Sequence, residues 1–166
     1  GHEFKLRSGT ENIPGIVGFA EAANLASDSK YILRMSGLRD KLIDGILKIP
    51  RAKLNGSSGN KRLCNNVNFS FKAIEGEAIV GLLDQEGICA STGSACAEQN
   101  LEPSYVLRAI GLSHEEANGS LRLTLSRFTT EQEIDYVLKV LPQIVQKLRE
   151  FSPFGKEIKN VLGKNN

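Results

Sequence analysis

Apolar positions recur at helical spacing over the first third of the chain. Between Pro14 and Lys48 they fall three or four residues apart, which is the period of one helix face. The positions are Ile16, Phe19, Ala20, Ala23, Ile32, Met35, Leu38, Leu42 and Ile46. We therefore expect one or two long helices over 14–48, with Pro14 in a first turn that tolerates proline. The stretch NGSSGNK at 55–61 has the composition of a loop.

Two later segments alternate between apolar and polar residues, as a strand with one buried face does. They are NNVNFSF at 65–71 and SLRLTLS at 120–126, and a third strand is expected to begin near 88–90. The residues expected to face inward are Val67, Phe69, Phe71, Leu121, Leu123 and Leu125. Arg122 and Thr124 fall on the opposite face of their strand.

Short helices are expected between these strands. The segment 75–87 buries Ile79, Leu82 and Leu83 in our interpretation and ends at Gly87. Pro103 suits the first position of a helix over 104–110 that stops at Gly111.

Capping-box spacing marks two further helix starts. Ser113 precedes Glu116 by three residues, and Thr130 precedes Glu133 by three. The second pair opens a helix with one apolar stripe, which Pro142 is expected to kink or break. The stripe consists of Ile134, Val137, Leu138, Leu141, Ile144, Val145 and Leu148.

The element order predicts an α/β chain whose bulk is a small α+β domain. We expect a mostly antiparallel sheet with helices packed on one face, preceded by a long helix.

The chain of 166 residues carries a net charge of +2, which indicates neither a nucleic-acid nor a membrane partner. It lacks an apolar run of the roughly 18 residues that a membrane span needs. Its three cysteines, an odd number, favour a reducing and hence cytoplasmic compartment.

Cysteine carries the candidate chemistry, and a metal site is not expected. The two histidines, His2 and His114, lack zinc-ligand spacing with the cysteines. Cys96 lies among very small residues in STGSACAEQN, a few residues before a helix start, which suits an exposed and reactive thiol. By composition alone it is equally compatible with an inert loop residue. Cys64 and Cys89 adjoin predicted strands and are expected to pack in the interior.

Arginine and threonine supply two candidate anion contacts. A guanidinium fixed on a strand, as at Arg122, can clamp a carboxylate through two parallel hydrogen bonds. The alternative is a solvated arginine on the outer face. The loop Arg7-Ser8-Gly9-Thr10 can hold a phosphate, although many loops of other function share its composition.

Three stretches of the chain together resemble one protein family. They are RSGTENIPGIVGFAEAA near the start, NNVNFSF with EGEAIVGLL in the middle, and STGSACAEQNLEPSYVLRAIGL with GSLRLTLSRFTTEQEIDYVL. In this order, over most of 1–153, they resemble the cysteine desulfurases. The resemblance is closest to the NifS-type, iron–sulfur-cluster subgroup (group I) of the class-V aminotransferase family.

The resemblance implies a fold, a reaction and roles for three residues. It implies part of a fold-type-I transferase that uses pyridoxal 5'-phosphate, converts L-cysteine to L-alanine and leaves a persulfide on the enzyme. By resemblance Cys96 is the nucleophile, Arg122 binds the substrate carboxylate, and Thr10 contacts the cofactor phosphate across a homodimer interface. It also implies sulfur transfer to an iron–sulfur scaffold or another acceptor, with possible transient cluster contact through Cys96.

The cofactor-binding lysine of that family has no match in this chain, because it precedes the arginine–serine–glycine–threonine loop. We therefore expect the C-terminal portion of a desulfurase, inactive in isolation. Residues 1–25 would end the large cofactor domain, 26–153 would form the small domain with a cysteine loop at about 89–103, and 154–166 would be a tail. The alternatives are a non-enzymatic sulfur-relay or scaffold-binding module, and a plain structural fragment.

Overall fold

A computed structural model describes residues 4, 6, 8–92 and 103–152 of the chain. Two helices, α1 (Ile13–Ala26) and α2 (Ser29–Ile46), precede strands β1 (Ala52–Leu54) and β2 (Asn66–Phe71). Helices α3 (Gly76–Gln85), α4 (Tyr105–Ala109) and α5 (His114–Asn118) follow, then β3 (Ser120–Thr124) and α6 (Glu131–Phe151). Within the described part of the chain, none of these helices combines the length and apolarity that crossing a bilayer requires.

One or two helices were predicted over 14–48, and the structure has two, α1 and α2, whose starts are explained by side-chain caps. Asn12 caps α1 by accepting a hydrogen bond from Gly15 N at 3.2 Å. Asp28 caps α2 by accepting from Lys30 N at 2.9 Å. Such caps satisfy backbone N–H groups that have no partner within the first helical turn.

The three strands form one antiparallel sheet in the order β1-β2-β3. The register pairs Phe69 of β2 with Leu54 of β1 and with Leu121 of β3. Val67, Phe69 and Phe71 are each only 1% exposed, which confirms that alternate residues of β2 share a buried face. The short edge strand β1 was not predicted from the sequence.

The apolar face of the sheet packs against helices α2, α3 and α6, as predicted. Their contribution to the core is Leu38, Leu42, Ile43, Ile46, Ile79, Leu83, Ile134, Val140, Leu141, Ile144 and Val145. Helix α5 lies against the opposite face instead, because Ser70 Oγ of β2 donates to Glu116 O at 2.6 Å. The sheet therefore has one apolar, buried face and one polar face.

Both capping boxes are present as predicted. Ser113 Oγ accepts from Glu116 N, and the Glu116 carboxylate accepts from Ser113 N at 2.9 Å. Thr130 and Glu133 make the same reciprocal pair at the start of α6.

Two prolines entered the helix predictions. Helix α6 continues through Pro142 to Phe151, so of the two expected outcomes, a kink or a break, the break does not occur. Buried residues on both sides of the proline, Leu141 and Ile144, hold the two halves against the same core. Pro103 lies before Ser104, the N-cap of α4, and is not its first helical residue.

The predicted strand near 88–90 does not form, and the expected burial of Cys89 is wrong. The strand pairing there is a single bridge between Ser91 and Arg122. Ile88 and Ala90 pack against the core, so the extended backbone directs the intervening Cys89 outward, where it is exposed. Cys64, also expected inside, is half-buried.

Candidate functional site

Arg122 lies at the centre of β3, on the polar face of the sheet. Its backbone N donates to Ser91 O at 2.6 Å, and Ser91 N donates to Arg122 O at 3.1 Å. One residue further, Thr92 O accepts from Ser120 Oγ at 3.1 Å. The described chain that leads towards Cys96 is therefore fastened to the strand that carries Arg122. Cys96 itself lies outside the described residues.

A cleft of about 350 Å³ opens over this polar face. Asn68 of β2 and Arg122 of β3 line it, and they are directly paired in the antiparallel register. The loop that begins at Asn55 forms one wall, and Val106 of α4 with Ile110, the residue after this helix, forms an apolar wall. The cleft thus combines a polar floor with a partly apolar rim.

Among the described residues that line the cleft, every charged side chain is positively charged. Lys61, Arg62 and Arg122 are present, and none of the described lining residues is an aspartate or glutamate. Such a lining favours an anionic ligand, because the field in a cleft of one sign attracts the opposite charge.

Arg62 is committed to holding the loop wall. Its Nε donates to Ser57 O at 2.5 Å, its Nη1 to Asn66 Oδ1 at 3.0 Å, and its Nη2 to Asn55 O. Burial lowers the pKa of this guanidinium, and the positive charge of Arg39 lowers it further. These contacts fold the 55–66 loop around the Arg62 side chain, so the role of Arg62 is to stabilise this loop.

A chain of hydrogen bonds runs from α5 to the floor of the cleft. Ser70 Oγ gives its one proton to Glu116 O at 2.6 Å, so it must act as the acceptor towards Asn55. Asn55 Nδ2 accordingly donates to Ser70 Oγ at 2.9 Å and to Asn68 Oδ1 at 2.7 Å. The amide orientation of both asparagines is thereby determined by the network.

Asn55 and Asn68 were not among the residues that sequence reasoning assigned to the site. The available signal was the run of polar residues on one face of the predicted β2, which we interpreted simply as an outer face. Asn55 is only 3% exposed, and its Oδ1 accepts no hydrogen bond from the described residues. The Nδ2 group of this buried amide is bound to Ser70 and Asn68, so Asn55 is held in one orientation and supports Asn68 rigidly.

Thr10 is exposed and lies just before the N-terminus of α1. It does not line the cleft that contains Arg122. Among the predicted site residues, the structure therefore describes Arg122 and Thr10 at separate places. Arg7 of the same loop lies outside the described residues.

A second cavity, of about 520 Å³, lies on the other side of β3. Leu123, Ile134 and Val137 line it, with Cys89 at its wall. Tyr136 also lines it, and its hydroxyl donates to Glu86 Oε2 at 3.0 Å. That hydrogen bond, helped by burial, raises the pKa of Tyr136.

Comparison with known proteins identifies the family. The profile described as Aminotransferase class-V matches residues 1–137. The chain is 53% identical over 156 residues to "Cysteine desulfurase IscS" of Methanosarcina thermophila, covering 91% of this chain and 38% of that protein. It is 52% identical over 155 residues to "Cysteine desulfurase IscS 1" of Archaeoglobus fulgidus, covering 92% of this chain and 40% of that protein.

A solved structure agrees with the sequence comparison. The NifS-like protein from Rickettsia africae superposes with a TM-score of 0.73 at 29% identity, over 87% of this chain and 38% of that one. The chain thus spans about two-fifths of the length of these relatives, with 38% and 40% coverage of the two desulfurases. From its matched residues and its fold, the chain belongs to the aminotransferase class-V family and is similar to one portion of the cysteine desulfurases.

Proposed function

We propose that this chain is the C-terminal portion of a cysteine desulfurase dependent on pyridoxal 5'-phosphate. The whole enzyme converts L-cysteine to L-alanine and supplies sulfur for iron–sulfur cluster assembly. The observation that carries the proposal is the position of Arg122, on the floor of a cleft lined by cations and tied by its backbone to the segment before Cys96. The similarity to desulfurases over more than nine-tenths of the chain supports it.

Arg122 binds the substrate carboxylate in this proposal. A guanidinium can make two parallel, charge-assisted hydrogen bonds to a carboxylate, which fixes orientation as well as charge. The β2–β3 pairing fixes the position of its backbone on the floor of the cleft. Lys61 adds a second positive charge at the cleft.

Cys96 acts as the nucleophile. Its thiolate attacks the substrate sulfur, the substrate carbon–sulfur bond breaks, and the carbon left behind takes up a proton. The balance is L-cysteine plus the enzyme thiol giving L-alanine plus an enzyme persulfide. Nucleophilic sulfur must be the thiolate, and a segment anchored at Ser91 and Thr92 presents it from the strand that carries Arg122.

Thr10 contributes a hydroxyl to the cofactor phosphate of the partner subunit in a homodimer. Its side chain is exposed and lies outside the cleft, which suits a role towards a neighbouring subunit. The cofactor, when bound, supplies an electron sink for the carbon atom next to the substrate carboxylate. The described residues fit one phosphate contact, and the remaining cofactor contacts come from outside this chain.

Helix α1 packs against the preceding part of the full-length polypeptide. None of its residues is buried, although Ile16, Val17 and Phe19 are large and apolar. Several large apolar side chains exposed on one helix mark a surface that another part of the protein covers. The relatives are more than twice as long as the part matched here, so the remaining sequence is ample to cover it. The exposure of α1 supports our proposal that 1–25 close the cofactor domain. In the same proposal 26–153 form the small domain and 154–166 a tail.

The persulfide sulfur passes to an iron–sulfur scaffold protein or another acceptor in the cytoplasm. Cys96 is the residue that would contact such an acceptor, including a transient cluster contact. Neither a nucleic acid nor a membrane is required by this assignment.

The decisive experiment compares the chain alone with the full-length enzyme. Each is given pyridoxal phosphate and L-cysteine, and alanine release is measured with the mass of the Cys96 peptide. The chain alone is expected to be inactive, and the full-length enzyme is expected to release alanine and gain one sulfur atom on Cys96. Turnover by the chain alone would contradict its incompleteness, and alanine release unaffected by Cys96→Ala would contradict the nucleophile assignment.

A sulfur-relay or scaffold-binding function is the second candidate. In a relay module Cys96 accepts sulfur from a separate desulfurase. A persulfide on Cys96 that forms only after an active desulfurase is added to the protein would support the relay and contradict the enzyme.

A further inference from the structure

We propose that Asn68 is a substrate-binding residue, whose side-chain Nδ2 donates a hydrogen bond to the same carboxylate that Arg122 binds. This inference deepens the proposed function and rests on it. It names a neutral second donor in the carboxylate site, positioned by Asn55.

The first support is the register of the sheet. Asn68 and Arg122 are directly opposite each other on β2 and β3, and both line the cleft. Side chains of such a pair project from the same face with Cβ atoms roughly 5 Å apart. One carboxylate between them can therefore accept from both the guanidinium and the amide.

The second support is the direction of the Asn68 amide. Because Ser70 Oγ donates to Glu116 O, Asn55 must present Nδ2 to it, and the same Nδ2 then requires an acceptor on Asn68. That acceptor is Asn68 Oδ1, so Asn68 presents its Nδ2 group elsewhere. Asn68 Nδ2 donates to none of the described residues, and Asn68 is half-buried at the cleft.

The third support is the rigidity of the arrangement. Asn55 N donates to Asn68 O at 2.9 Å, so backbone and side chain of Asn55 both hold Asn68. A donor that is already oriented loses little freedom when it binds a ligand. A neutral amide also leaves the positive charge of the cleft intact, whereas a carboxylate at this place would compete with the substrate for Arg122.

Asn68→Asp is the sharpest test in the full-length enzyme. The substitution keeps the oxygen that accepts from Asn55, while it replaces the donor with a negative charge. We expect KM for L-cysteine to rise roughly tenfold or more, with kcat at saturation changed less than threefold and the unfolding temperature preserved. The matched control Asn118→Asp adds the same charge at an exposed position of α5 and is expected to leave KM unchanged.

The outcomes separate the two proposals. If the wild-type enzyme releases alanine and Asn68→Asp retains the wild-type KM, the role of Asn68 is overturned and the desulfurase function stands. If the wild-type enzyme releases no alanine from L-cysteine, both fail. Should Asn68→Asp not fold, Asn68→Ala decides the matter, because Asn55 Nδ2 keeps Ser70 Oγ as a partner. A KM raised several-fold supports the donor role, and an unchanged KM overturns it.

Discussion

Ser91 and Arg122 are joined by two backbone hydrogen bonds, of 3.1 and 2.6 Å, although 31 positions separate them in sequence. Ser91 lies two residues before Gly93, where the segment that contains Cys96 begins, and Arg122 lies on the floor of the cationic cleft. The bridge therefore couples the base of the proposed nucleophile loop to the proposed carboxylate site. In the proposed reaction Cys96 and Arg122 act on one small substrate, and Ser91 joins the start of the segment before Cys96 to the strand that carries Arg122.

Replacing Ser91 by proline tests this coupling. Proline has no backbone N–H, so Ser91→Pro removes the donor to Arg122 O. We expect the rate of Cys96 persulfide formation in the full-length enzyme to fall about tenfold. Losing this backbone hydrogen bond displaces the start of the segment that carries Cys96. Ser91→Ala keeps the backbone bond and is the matched control. Equal rates for the two variants would show that the bridge is not needed.

Removing the guanidinium tests the carboxylate role of Arg122. Arg122→Ala is expected to weaken substrate capture by about 2–4 kcal/mol, since one charge-assisted pair of hydrogen bonds is lost. The measurement is KM for L-cysteine in the full-length enzyme. Arg122→Lys keeps the positive charge but loses the two parallel donors of the guanidinium. Its KM is expected to lie between those of the wild type and Arg122→Ala. A wild-type KM in Arg122→Ala would exclude the assignment.

The three cysteines are separated by their response to substrate. Cys96→Ser is expected to abolish both alanine release and the gain of one sulfur atom in the mass spectrum of the full-length enzyme. Cys89→Ser is expected to preserve both, although Cys89 is exposed, because it lines the cavity on the other side of β3. Sulfur found on Cys89 in place of Cys96 would reverse this assignment.

Two glycines of α3 provide a matched test of packing. A Cβ at Gly76 would lie 2.1 Å from Ser120 O, whereas a Cβ at Gly81 meets nothing within 4 Å. Gly76→Ala is expected to lower the free energy of unfolding by about 1–3 kcal/mol, because the backbone of β3 must shift. Gly81→Ala is expected to raise it by about 0.5–1 kcal/mol through helix propensity. Chemical denaturation of both variants measures the difference, and equal values would mean that α3 and β3 are not in close contact.

The pKa of Glu116 is lowered, first by its hydrogen bond with Lys53 and then by the hydrogen bond from Ser113 N. A carboxylate whose pKa is lower in the folded chain stabilises folding above its ordinary pKa, and this stabilisation is lost as pH falls through the folded value. The wild type is therefore expected to be more stable than Glu116→Gln near neutral pH, with the difference vanishing in acid. Thermal unfolding of both proteins as a function of pH measures it. A difference that is independent of pH would mean that the charge of Glu116 contributes nothing.

Local rules account for the parts of the fold that could be predicted from the sequence. The capping boxes at Ser113 and Thr130 use bonds between residues three apart, and the alternation of β2 follows from strand geometry alone. Pro142 was expected to kink or break α6, because propensity disfavours proline in a helix, and the break does not occur. Burial of Leu141 and Ile144 on either side outweighs that preference.

The sequence by itself determined the helices, the buried face of each long strand and the resemblance that singles out Cys96, Arg122 and Thr10. Each of these follows from spacing along the chain or from matching motifs. The tertiary structure alone decided that Asn55, Asn68 and Ser70 form one hydrogen-bonded chain beside Arg122, and that Cys89 faces outward. Those relationships join residues far apart in sequence, and packing of the loop and helices onto the sheet brings them together. The periodicity of a segment does not predict which polar side chains from distant parts of the sequence come into contact.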